Sequence, residues 1–152
     1  MYKRQILQTG CTRSEIETDQ HITAKAARRA YERAGVGPED MDVAEVHDAT
    51  AMGEIMQVEN LGFCDFGDGG AAAERGDTLL GGRVPVNPSG GLECKGHPIG
   101  ATGLCQIYEL TMQLRGEAGA RQVERARLAI AENGGGLYGI EESVAAITIL
   151  GR

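Results

Sequence analysis

Three polar side chains in this chain, two of them beside glycine, are of types that suit acid–base or oxyanion chemistry. His97 lies between two glycine-rich turns in SGGLECKGHPIGATG, residues 89–103, ahead of an apolar, helix-like run. Pro98 follows it, and proline suits a first helical position because its missing N–H would have had no partner there. The spacing therefore predicts His97 just before a helix, where unpaired amides and the positive end of the dipole disfavour an imidazolium. A neutral imidazole at pH 7 is what a general base needs. Gly90, Gly91, Gly96, Gly100 and Gly103 leave the backbone around it bare, so a ligand can come within reach of exposed amides. The alternative is a histidine that only caps a helix or packs in a loop.

His47 ends a strand-like run, Val43 to Val46, and residues at strand ends of α/β sheets commonly line the crevice where ligands bind. Asp48 beside it can orient a ring; equally, Asp48 or Thr50 can cap the next helix. Asn133, ahead of Gly134, Gly135 and Gly136, also ends a predicted strand, and its amide can donate to a developing oxyanion. Its simpler reading is a turn residue, since asparagine tolerates left-handed geometry. In an alternating fold such ends converge on one edge of the sheet, so the three sites support one another.

Helices and strands must bring them there. HITAKAARRAYERA, residues 21–34, repeats Ile22, Ala26, Ala27, Ala30, Tyr31 and Ala34 at helical spacing and stops at Gly35. A second helix is predicted from Thr50, carrying Met52, Ile55, Met56 and Leu61 toward a core, with Gly62 closing it. Residues 63–83 hold six glycines and three aspartates and read as a long surface loop with a helical turn at Ala71 to Arg75. VPVNPSGG is a short extended piece that two prolines keep from being an interior strand. Gly100 to Gly116 is predicted as a helix with the apolar stripe Leu104, Ile107, Tyr108, Leu110, Thr111 and Leu114. RLAIAEN and SVAAITIL then read as buried strands separated by GGGLYG. The alternation predicts an α/β layered fold, a mixed sheet with helices on its faces whose last two strands form a hairpin.

Composition bounds the function. With 152 residues the chain is about one domain long, and the expected division is a tail or stump at 1–21 and a domain at 22–152. A net charge of -7 gives no general attraction to nucleic acid or an anionic membrane, so neither is expected as a partner. There is no membrane-length apolar run and no secretory pattern at the start, which predicts a cytoplasmic or organelle-matrix protein. Cys11, Cys64, Cys94 and Cys105 follow no CxxC spacing and lack matching histidine pairs, so no metal is expected and free thiols are. No GxxxxGK[ST] occurs, and no GxGxxG follows a strand.

These motifs resemble a known family. GGLECKGHPIGATG resembles the Gly-His-Pro loop of the thiolase superfamily, and HDATAMGE resembles the His-Asp-Cys-Phe motif of the sterol-carrier-protein type of thiolase and its lipid-transfer-like relatives. NPSGG, QLRGEAGARQV and the closing NGGG resemble that branch as well, so the likeness runs from Thr23 to Arg152. Such proteins are two similar halves stacked as a five-layered αβαβα unit, normally dimeric, with the nucleophilic cysteine in the N-terminal half. The resemblance therefore implies a C-terminal half acting on acyl-CoA, with CoA as substrate and no cofactor, and with the N-terminal half missing. It implies that His97 activates that cysteine and helps bind the thioester oxygen, that His47 completes a second oxyanion site, and that Asn133 occupies the turn beside them. Gly96, Gly100 and Gly135 are the expected substrate-binding glycines.

One departure bears on the reaction. The sterol-carrier type has cysteine two residues after the motif histidine, where this chain has Ala49; ordinary thiolases have cysteine before the last glycines, where it has Asn133. That cysteine moves the α-proton, which alanine cannot do. Tyr138 is an outside candidate for the task. The first expectation is an acetyl-CoA acetyltransferase type of enzyme. The second is a retro-aldol lyase on a steroid-type 3-hydroxyacyl-CoA, some of whose relatives work beside a small OB-fold partner. The third is a folding or dimerisation half without activity.

Overall fold

The computed structural model describes residues 21–136 and 142–152; Cys11 and Tyr138, singled out above, lie outside them. Helix α1 spans Ile22–Ala34 and ends on Gly35 at φ 69°, whose amide bonds back to the Tyr31 carbonyl. Strand β1, Val43–Glu45, leads through His47 into α2, Ala51–Asn60. Thr50 caps α2: its hydroxyl accepts from the Gly53 amide at 3.0 Å. Two short helices follow, α3 at Gly69–Arg75 and α4 at Gly91–Lys95, then the long α5 at Thr102–Arg115. Strands β2, Leu128–Gly135, and β3, Val144–Gly151, complete the described elements.

The sheet order is β1-β2-β3, β1 parallel to β2 and β2 antiparallel to β3, so the mixed α/β sheet with a closing strand pair is as expected. Successive side chains of a strand point to opposite faces. Val43, Ala129 and Ala131 therefore meet Leu110 and Leu114 of α5, whereas Ala44 and Ile130 meet Ala27 and Tyr31 of α1 and Val58 of α2. Helices thus cover both faces. On the far side of β1, Ala44 donates to the Pro85 carbonyl and accepts from the Asn87 amide, each at 2.9 Å, so VPVNPSGG makes one bridge at the sheet's edge and no interior strand.

Several sequence expectations are corrected. Helix α5 begins at Thr102 with Ala101 as its first flanking residue, so Pro98 is not a first helical position; a turn from Pro98 precedes the helix, and His97 lies just ahead of that turn. That turn is closed by the amides of Ala101 and Thr102, both donating to the Pro98 carbonyl. Where a plain turn was expected, Gly91–Lys95 is helical. The apolar stripe of α5 is also misplaced: Leu104 and Tyr108 are exposed, and Gln106, Glu109 and Gln113 are buried. The buried glutamines satisfy backbone groups that would otherwise be orphaned. Gln113 donates to the Arg121 carbonyl at 2.8 Å and accepts from the Val123 amide at 2.7 Å, while Gln106 donates to the Glu132 carbonyl at 2.8 Å. Met52 is exposed on the first turn of α2 and does not enter the core. Strand β3 is an edge with exposed and half-buried residues alternating, so only β2 is the buried strand predicted.

Candidate functional site

The His47 and His97 rings lie 4.9 Å apart, centroid to centroid, with their planes at 46°. Fifty residues separate them in the chain, and β1 provides the frame that joins them. Asp48 is buried, and its carboxylate accepts from the Leu92 amide of α4 at 2.7 Å. A Cβ on Gly91 would lie 1.9 Å from the same carboxylate, and Gly91 has a φ of 60°, so only glycine fits there. Glu45 grips the other end of that segment. It accepts from the Ser89 amide at 3.1 Å and the Ser89 hydroxyl at 2.7 Å, and Lys95 reaches within 3.7 Å of it. Two carboxylates of the β1 segment thus hold the short helix whose exit, Gly96 at φ 81°, delivers His97.

His97 is further tied to α5, its Nδ1 lying 2.6 Å from the Thr102 hydroxyl. His47 is held through its backbone, which donates to a Glu132 carboxyl oxygen at 2.9 Å. Burial pushes the His47 pKa down, and the nearby His97 pushes it the same way; the Gly134 backbone and the Glu142 and Asp48 carboxylates oppose them. Among the described residues its buried Nε2 has no hydrogen-bond partner. A neutral ring with an unused nitrogen, beside a second ring, can donate to or accept from a bound polar atom.

Asn133 does not end its strand: β2 continues to Gly135, and Asn133 pairs with Ala146. Its φ is not positive, which removes the left-handed turn reading. The side chain instead packs on the first turn of α5, where a Cβ on Gly103 would come within 3.2 Å of Nδ2. The Asn133 Oδ1 is buried without a partner among the described residues. Around Gly100 and Gly135 the space a Cβ would take is open. Sequence reasoning missed Thr102, and it missed Glu132, a fully buried carboxyl in the central strand. The signal for Glu132 was present as a charged residue inside the apolar run RLAIAEN, since a buried carboxylate needs a partner or must take up a proton. Burial pushes its pKa up to about 8, the Glu142 charge adding to this and the His47 amide opposing it. Ala49 is exposed and offers no ionisable group.

The chain belongs to the thiolase C-terminal domain-like family, whose model matches residues 9–152. Sterol carrier protein 2 of Rattus norvegicus is 53% identical over 112 residues, covering 74% of this chain and 20% of that protein. An acetyl-CoA acetyltransferase of Methanothermobacter thermautotrophicus is 49% identical over 130 residues, 86% of this chain and 33% of its own length. A solved structure titled Ltp2-ChsH2(DUF35) aldolase superposes with a TM-score of 0.72 at 25% identity, over 85% of this chain and 31% of that one. The chain therefore spans from a fifth to a third of the length of these relatives. The motif resemblance and the thiolase-like layered fold are borne out. Among the described residues no helix is long and apolar enough to cross a membrane.

Proposed function

We propose that the chain is the histidine-bearing, C-terminal part of a thiolase-like acyltransferase acting on acyl-CoA thioesters. The observation that carries this reading is the convergence of His47 and His97 at 4.9 Å. In it, His97 takes the thiol proton of a cysteine supplied by a cysteine-bearing thiolase half. The thiolate adds to the thioester carbonyl, whose oxygen is met by the N–H of a neutral imidazole at His47 as negative charge develops; the intermediate then collapses, the C–S bond to CoA breaks and CoA leaves with the proton taken up by His97. Asn133, packed at the start of α5, adds an amide to that wall, and Gly96, Gly100 and Gly135 leave room for the thioester. The substrates are an acyl-CoA and a second CoA-linked or thiol acceptor, and the whole enzyme works as a homodimer.

A second reading is favoured by one residue together with one relative. Ala49 provides no acid/base for the α-proton, and a structure with this fold is titled an aldolase. A retro-aldol lyase on a 3-hydroxyacyl-CoA, assisted by an OB-fold partner, is that alternative. The two are separated by assaying the chain with a cysteine-bearing half. Cleavage of a 3-ketoacyl-CoA only when free CoA is added supports acyl transfer; cleavage of a 3-hydroxyacyl-CoA without CoA supports the lyase. Turnover of neither substrate by a folded assembly removes both and leaves a structural half.

A further inference from the structure

Thr102 opens α5 and is buried, with 4% of its surface exposed. Its hydroxyl oxygen makes two contacts: His97 Nδ1 at 2.6 Å and the Pro98 carbonyl at 3.3 Å. A threonine hydroxyl has one proton and two lone pairs. If that proton went to Nδ1, the contact with the Pro98 oxygen would be two acceptors facing each other with nothing between them. If it goes to the Pro98 carbonyl, the oxygen's lone pairs face Nδ1, which must then carry a proton of its own. Only this second arrangement makes both contacts hydrogen bonds. The back-bond from a threonine to the carbonyl four residues earlier is also a common local geometry.

We infer that Thr102 is a positioning residue that fixes the tautomer of His97, holding the ring proton on Nδ1 and leaving Nε2 as the basic nitrogen. This rests on the reading of His97 as a base. The thiol proton then moves to Nε2, the ring becomes an imidazolium, and its Nδ1–H stays donated to the Thr102 oxygen. The ring therefore keeps its orientation while it changes charge. Without the hydroxyl, the neutral ring is free to place its proton on Nε2, where it cannot accept another.

The test reads the tautomer directly and needs no substrate. The chain has three histidines, so ¹⁵N-histidine labelling gives three pairs of ring resonances, and His97→Gln identifies one pair by its loss. In the neutral ring, His97 Nδ1 is expected as the protonated nitrogen and Nε2 as the proton-free one. Thr102→Ser is expected to keep that pattern, and Thr102→Val to mix it. Protonation at Nε2 in the unsubstituted protein, or an unchanged tautomer in Thr102→Val, overturns the inference. Should the valine variant fail to fold, the unsubstituted spectrum alone decides. In the complete assembly Thr102→Val should lower kcat by about 10- to 100-fold with little change in KM, a part of what losing a general base removes, and Thr102→Ser should restore it. The predicted tautomer together with unchanged turnover in His97→Ala would fail the catalytic reading and leave the tautomer assignment standing.

Discussion

Glu132→Gln is a substitution expected to stabilise this protein, by an amount that grows with pH. The carboxyl is fully buried in the central strand and burial pushes its pKa up to about 8, against an ordinary value of 4.5. In the unfolded chain it ionises near the ordinary value; in the folded chain it keeps its proton until the pH approaches the raised one. The folded pKa is the higher, so the carboxyl's contribution is fully present below the unfolded value and is lost as pH rises toward about 8. One proton gives a slope of about 1.4 kcal/mol per pH unit, so the loss over that window is on the order of a few kcal/mol. Glutamine keeps an oxygen to accept the His47 amide and cannot ionise. Glu45 and Glu54, also raised by burial, push in the same direction but are present in both proteins and cancel in the difference. Urea denaturation of both proteins from acid to mildly alkaline pH is the assay. The stability difference should widen steadily through neutral pH and level off above about pH 8. Two curves that run parallel across that range would refute the reasoning, because Glu132 would then have the same pKa folded and unfolded.

Two further substitutions probe the frame and the reacting ring. Asp48→Ala removes the acceptor from the Leu92 amide, and leaving a buried donor unpaired costs about 1–3 kcal/mol; thermal unfolding should move down by roughly 2–4 °C per kcal/mol. An unchanged midpoint would show that α4 does not depend on this contact. His97→Ala in the complete assembly should lower the rate by about 10²- to 10⁴-fold, the range for a lost general base, and unchanged turnover would remove His97 from the mechanism.

The sequence alone determined most of the elements and the resemblance to the family. Periodicity placed α1 and α2 to within a residue or two, proline kept VPVNPSGG at the sheet edge, and His47 at a strand end and His97 among glycines marked the residues that would meet. These are local signals, set by spacing and by what glycine and proline permit in their own backbone. The tertiary structure decided what long-range partners decide. Apolar spacing put Leu104 and Tyr108 inward on α5, but the backbone of residues 121–123 and of β2 needed donors and acceptors, so Gln106 and Gln113 took the buried face. Asp48 beside His47 reads as a local cap; in the fold it caps a helix 44 residues away, and that contact helps bring the two rings together. A hydrogen bond between distant segments leaves no period in the chain that makes it, so the pairing of the histidines became visible only when β1, α4 and α5 were seen side by side.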